Sequence, residues 1–387
     1  MLLGLSLFAL ANLAVLLVRT PGELVAVRAT VGVTAAMTAP GTMALCFRLF
    51  DAENLLMRAT SLIATVGLVG LAVGPTLGGL VLQVLPWQAL LVMNVPIAVL
   101  ALFCIRNGIP ADDPGNRNTS PLDLPGALLG TATIILALWT ATQVVEDGWG
   151  RAVPWLAAAV AAAAGFVARE RRTPHPIIDF ALVKRPAVAA SLAYEAALGL
   201  GLAAIFFTAS LQMQLVWGWS PAQAALGNLP QVIVMLAIGP FVEKIVDKLG
   251  THRAGAIGAA SVVVGLLVYA LLGRYDYGWI AVALALTAAG MRVVSTIAGV
   301  TVMRGLPEDQ TSTGAALSDT SSEVAGSIGT AVTGTIVAAT VAGSLSGIGH
   351  SAAAAHSFEN AVTISTLALT AICAALVVWA ARRTARA

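Results

Sequence analysis

The chain has 387 residues, of which 58% are hydrophobic and only 10% charged, with a mean hydropathy of +0.88. Ordinary globular domains carry about 25% charged residues, so this composition excludes an ordinary soluble domain and requires a lipid solvent. The net charge of +2 carries no information until the charges are placed along the chain.

Apolar runs of about 20 residues recur, the length a helix needs to cross a hydrocarbon core of about 30 Å. The strict alternation of an outer-membrane barrel is absent. Twelve spans are expected, over 2–18, 22–47, 59–84, 87–105, 123–143, 153–168, 187–215, 221–242, 254–273, 278–303, 313–343 and 358–381. The opening MLLGLSLFALANLAVLLV has no basic segment and no cleavage site, so it reads as a span rather than a signal peptide. The chain is thus an all-α polytopic membrane protein. Arg48, Arg58, Arg106, Arg117, Arg169, Arg171, Arg172, Lys184, Arg185, Lys244, Lys248, Arg253, Arg304, Arg382, Arg383 and Arg386 fall on one set of alternating connections, against Arg19, Arg151 and Arg274 on the other. The positive-inside rule makes the first set cytoplasmic, and both termini with it.

Within the third span, LVGLAVGPTLGGLV places Gly70, Gly74, Pro75, Gly78 and Gly79 in an apolar run. Glycines at i, i+4 and i+8 make a stripe along which a second helix approaches closely, and the proline removes a backbone hydrogen bond and bends the helix. A sealed, bent helix of this kind is expected to act as a hydrophobic gate; ordinary tight packing is the plainer reading of the stripe alone.

Ionisable residues inside spans are expensive and therefore candidates for function. Arg28 lies in the second span, Glu195 in the seventh and Arg292 in the tenth, while Asp319 and Glu323 stand one turn apart in the eleventh. Two carboxylates at i, i+4 in a low dielectric do not ionise together easily. Asp319 is the expected proton carrier, coupled to Glu323, with Arg292 as counter-charge and Glu195 as the second candidate for proton or cation. A solvated position for Asp319 and Glu323 at the cytoplasmic end is the alternative. Phe206, Phe207, Gln212 and Gln214 of IFFTASLQMQLVWGW are the candidate lining of an aromatic-walled substrate chamber.

Shifting the chain by 252 residues lays Gly70 and Gly74 on Ser322 and Gly326, and the first four spans on the last four. Two spans and a charged loop, EKIVDKLGTHR, precede that last group, so the second half has six helices and the first half four. The expected organisation is an incomplete N-terminal bundle over 1–110, two linker spans within 111–185 and a six-helix bundle over 186–387. A complete parent would then have fourteen spans, two of them ahead of Met1.

These motifs together resemble one family. Gly70-X3-Gly74-Pro75-X2-Gly78-Gly79 is similar to the antiporter motif of major facilitator superfamily drug exporters, with Ser61 where that pattern has its first glycine. ELVAVRATVGVTAA, with Arg28 and Gly32, resembles the arginine motif of the preceding helix. WQALLVMNVPIAVL, PLDLPGALL and LPEDQTSTGAALSDTSSEVAGSIGTAVTG resemble the fourteen-span drug:proton antiporters. Asp247, Lys248 and Gly250 match the second-half copy of the superfamily's gating loop; the first-half copy is absent. The resemblance implies a two-bundle transporter of the cell membrane of a bacterium, acting as a monomer, exporting small hydrophobic or cationic compounds against protons by alternating access. A non-transporting fragment of such an exporter, or an exporter of an endogenous metabolite, are the alternatives.

Nothing in the sequence calls for a cofactor, a metal or nucleic acid. His175, His252, His350 and His356 lack metal-ligand spacing. There is no Walker motif, HExxH or GxSxG, which argues against an ATP-driven pump and against an enzyme. Cys46, Cys104 and Cys373 lie in or beside spans and read as packing residues.

Overall fold

The computed structural model describes residues 1–38, 41, 42, 45, 49, 50, 53–109, 123–146, 148–173, 176–178, 183–305, 311–340 and 352–384. Among these residues every regular element is helical. Eight helical stretches among the described residues are long and apolar enough to cross a membrane. Backbone polar groups have no water to bond in hydrocarbon, so helices that close their own hydrogen bonds are the economical answer to such apolar runs.

The chain divides into two compact units, one of Met1–Thr119 with Ser220–Leu226, the other of Ser120–Trp219 with Gly227–Ala387. In the first unit lie α1 (Leu2–Leu13), α2 (Pro21–Ala36), α3 (Glu53–Val84), α4 (Ala89–Val92) and α5 (Asn94–Gly108). Helix α2 starts where it does because Thr20 and Glu23 form a reciprocal cap: the Glu23 amide donates to the Thr20 hydroxyl at 3.3 Å and the Thr20 amide to the Glu23 carboxylate at 3.2 Å. Asn12, fully buried in α1, accepts from the Asn94 side chain at 3.0 Å and so ties α1 to α5.

The second unit holds α6 (Leu124–Glu146), α7 (Trp149–Glu170), α8 (Pro186–Leu215), α10 (Leu229–Ile238), α11 (Val242–Leu249), α12 (Thr251–Leu272), α13 (Tyr277–Gly305), α14 (Thr311–Thr340) and α15 (Ala352–Thr384); α9 (Pro221–Gly227) begins in the first unit. Helix α8 is its axis, packing on α14, α15 and α13. Between membrane helices, close backbone approach supplies the attraction that the hydrophobic effect supplies in water. A side chain at Gly290 would strike the Gly258 carbonyl, and one at Gly265 would lie 2.9 Å from the Ala283 carbonyl, so α12 and α13 meet backbone to backbone. Cys373, buried in α15, donates to the Ala197 carbonyl of α8 at 3.1 Å, a packing role as expected; Cys104 is exposed and Cys46 lies outside the described residues.

Two expected elements differ in form. The span over 221–242 is apolar throughout but broken into α9, α10 and a short 3-10 turn over Gly239–Phe241. Pro230 and Pro240 have no N–H to continue the ladder. The charged loop after it is the helix α11, because Val242, Ile245 and Val246 recur on one face and pack with Ile238, Ala254, Val293 and Ile297.

Candidate substrate groove and charged sites

Helices α8 and α14 run side by side in the same direction, and their spacing is set by glycine. A Cβ at Gly199 would overlap the Ser322 carbonyl, while one at Gly329 would lie 3.1 Å from Ala203. The Ser321 hydroxyl donates to the Leu192 carbonyl at 2.8 Å and locks the register. Along this seam lies an open groove of about 820 Å³ lined by Phe206, Phe207 and Ser210 of α8 and by Glu323, Ser327 and Thr330 of α14. That volume lies within the range of small-molecule sites, about 300–1,000 Å³.

The groove brings together three of the residues singled out in the sequence, Phe206, Phe207 and Glu323. Gln212 is elsewhere. Its amide donates to the Gly273 carbonyl at 2.9 Å and accepts from the Tyr269 hydroxyl at 3.0 Å, so it fastens α8 to the end of α12. Gln214 turns back along its own helix to Ser210, at 3.2 Å. Met213 is fully buried, and Trp217 stacks obliquely with Trp219 at 5.8 Å between centroids.

Asp319 and Glu323 are both exposed from the protein surface rather than packed among neighbours, and Glu323 opens on the groove. The half-buried acid is Glu195, one turn before Gly199, on the stretch of α8 that packs on α14 between the Leu192–Ser321 hydrogen bond and the Gly199–Ser322 contact; Asp319 lies in the adjoining turn of α14. Arg292 makes no ion pair with Asp319 among the described residues. Its guanidinium lies over Gly239, where an added Cβ would come within 3.3 Å of Nη2, and its buried Nε has no hydrogen-bond partner. Arg28 is exposed on α2.

In the first unit α3 runs without interruption through Pro75. Of the motif glycines, Gly79 is buried: its Cβ position lies 2.6 Å from the Pro221 carbonyl and 3.0 Å from Ala225. Gly78 would meet Leu90 at 3.6 Å, and among the described residues nothing approaches Gly70 or Gly74 within 4 Å. The stripe is thus closed at its Gly79 end. In the gating segment Asp247 and Lys248 are exposed at the end of α11, and Gly250 takes φ +76° and ψ 153°, a conformation that favours glycine.

A further charged cluster was not singled out by sequence reasoning. Asp123, with only 2% of its side chain exposed, accepts from Arg169 and from Thr173 at 3.2 Å, and caps α6 through the Gly126 amide. The Arg169 hydrogen bond is the main cause that holds the Asp123 carboxyl below its ordinary pKa, against the opposing effect of burial. Buried Glu170 accepts from the Ile178 amide at 2.9 Å through one oxygen, and its other oxygen has no partner. The signal in the sequence was Asp followed by Leu-Pro-Gly, an N-cap ahead of a proline in the first turn. The partner, 46 residues away, had no such signature.

The family model described as Major Facilitator Superfamily matches residues 1–330. The chain is 34% identical over 270 residues to a cephamycin export protein of Amycolatopsis lactamdurans, covering 68% of this chain and 54% of that one. It is 28% identical over 343 residues to a multidrug efflux pump of Mycolicibacterium smegmatis, covering 88% and 67%. A lincomycin resistance protein of Streptomyces lincolnensis is 30% identical over 262 residues, covering 67% and 54%. The chain therefore spans about half to two thirds of the length of these curated relatives. Among solved structures, a POT family transporter in complex with 5-aminolevulinic acid superposes with TM-score 0.63 at 13% identity over 99% of this chain and 81% of that one, a likeness of fold.

Proposed function

The chain belongs to the Major Facilitator Superfamily, and on that premise we propose that it exports small hydrophobic or cationic compounds across a bacterial cell membrane in exchange for protons. The observation that carries this reading is the groove between α8 and α14, where the rings of Phe206 and Phe207 and the carboxylate of Glu323 line one space. Aromatic faces and a single acid suit a lipophilic cation, since the ring quadrupole and the carboxylate both attract positive charge. The names of the relatives point the same way.

Glu323 receives the cationic end of the substrate, and the Glu195–Asp319 pair carries the proton. Arrival of a cation at Glu323, one turn from Asp319, favours release of that proton. Exchange between the two sides proceeds by alternating access, with the glycine stripe of α3 as seal and α11 with Gly250 on the cytoplasmic face.

The test is efflux of a lipophilic cationic dye from cells making the chain as given, with and without a protonophore, beside cells lacking it. Dye efflux that stops with the protonophore supports the reading. Efflux indifferent to the protonophore removes proton exchange, and no efflux with the protein in the membrane, by this chain and by a version extended to its relatives' length, defeats the exporter.

A further inference from the structure

We propose that a second cavity, between α6, α7 and α14, is a lateral binding site for the flat aromatic part of a lipophilic molecule, and that such a molecule passes from it over Ser327 and Ala331 into the α8–α14 groove. The cavity measures about 470 Å³ and is lined by Leu138, Trp139 and Thr142 of α6, Trp155 of α7, and Ser327 and Ala331 of α14. Only its passage step rests on the exporter reading; the binding site stands on its own geometry.

Three observations choose the occupant. First, the lining has no ionisable side chain, so the cavity takes an uncharged portion of a molecule. Second, Trp139 and Trp155 meet edge to face, with centroids 6.2 Å apart and planes at 80°. Two indoles at a right angle form a corner that offers one ring a face to stack on and an edge to abut, geometry suited to a rigid planar ring system more than to a flexible chain. Third, the two tryptophans remain 47% and 42% exposed, beside exposed Ile135, Val153, Leu156 and Val160 of the same two helices. A molecule dissolved in the bilayer therefore reaches the corner without entering water.

The connection is equally specific. Ser327 and Ala331 line both this cavity and the groove, and they stand one helical turn apart on α14. A hydroxymethyl and a methyl group are all that α14 raises between the two spaces at that level. A molecule whose rings sit on Trp139 and Trp155 can extend a cationic end over this sill toward Glu323, which faces the groove one turn before Ser327.

Ethidium, planar and cationic, is a suitable probe, bound to the purified protein in detergent and in phospholipid nanodiscs. Trp155→Ala and Trp139→Ala are each expected to weaken binding about five- to tenfold, the loss of one stacking partner. Trp279→Ala, which removes an exposed tryptophan of α13, is the control and should bind as the unaltered protein does; equal thermal melting of all variants excludes misfolding. Ser327→Phe, which raises the sill between the two spaces, should abolish dye efflux from cells. Binding untouched by both tryptophan variants, equal losses in the Trp279 control, or binding seen in detergent and lost in nanodiscs because lipid chains fill the corner, would each overturn the site. Binding that behaves as expected with no efflux by the unaltered protein would retain the site and defeat the exporter.

Discussion

Asp123 Oδ1 accepts from Arg169 Nε at 3.1 Å and lies in an ion pair with Arg169 Nη2, also at 3.1 Å, so the residue ahead of α6 is clamped to the last turn of α7. The two linker helices are thereby closed at one end into a hairpin.

Asp123→Asn should lower the melting temperature by about 2–4 °C, as loss of one charge-assisted clamp does in a unit of this size. The pH dependence has a definite sign. Because the carboxyl is held below its ordinary value, its contribution is fully present above the unfolded pKa of about 3.9 and is lost as the pH falls through the lower folded value. Melting of the protein and of Asp123→Asn should differ constantly from pH 5 to 8 and converge in acid. A difference that grows between pH 6 and 8 would assign the effect to another group.

Gly199 and Gly326 face one another but should respond differently to alanine. A methyl group at Gly199 overlaps the Ser322 carbonyl, whereas one at Gly326 lies 3.5 Å from the Gly199 carbonyl, an ordinary contact. Gly199→Ala is expected to destabilise by about 1–3 kcal/mol, the usual range for overpacking, and Gly326→Ala to melt with the unaltered protein. Equal melting of the two would contradict the close approach of α8 and α14.

In the antiporter motif the same comparison separates packing from gating. Gly79→Ala should lower the melting temperature, since its Cβ position lies 2.6 Å from the Pro221 carbonyl, while Gly70→Ala and Gly74→Ala should not. If the latter two lose dye efflux with melting unchanged, those glycines serve a closed state of the transporter. A fall in melting for Gly74→Ala equal to that of Gly79 would refute the difference.

The acids should divide by substrate charge. Glu323→Gln is expected to slow efflux of a cationic dye about tenfold, about 1.4 kcal/mol, with little effect on a neutral compound. Glu195→Gln and Asp319→Asn should slow both, because the proton serves every substrate. Asp319→Asn with protonophore-sensitive efflux intact would remove Asp319 as carrier.

Gly250→Ala should destabilise the turn between α11 and α12 by about 1–3 kcal/mol, because its φ of +76° with ψ 153° lies where side chains are strained. Melting or protease resistance of the α11 region reads this directly. A neutral Gly250→Ala would mean that the turn relaxes.

Much of this protein was legible one helix at a time. In sequence Gly250 is only a match to the gating loop, and its turn shows only in the backbone, whereas the spacing of Val242, Ile245 and Val246 already contains the short helix α11 where a charged loop is expected. Phe206 and Phe207 of α8 line the groove, but Gln212, one turn on, points to Tyr269 instead. Nothing in IFFTASLQMQLVWGW distinguishes those directions, because in an apolar helix every face is apolar and the pattern that orients a helix in water is missing.

The sequence by itself determined that the chain is helical, that its apolar runs match a bilayer, and where its glycines and intramembrane charges lie, because these follow from local hydrogen bonding and from transfer into hydrocarbon. Only the tertiary structure decided which of them meet. Arg169 reaches Asp123, Glu195 lies where α8 packs on the part of α14 next to Asp319, and Ser327 is shared by two cavities. Each of these depends on which helices pack and in what register, and between membrane helices that choice is made by backbone approach at residues such as Gly199, summed over many weak contacts that no short stretch of sequence contains.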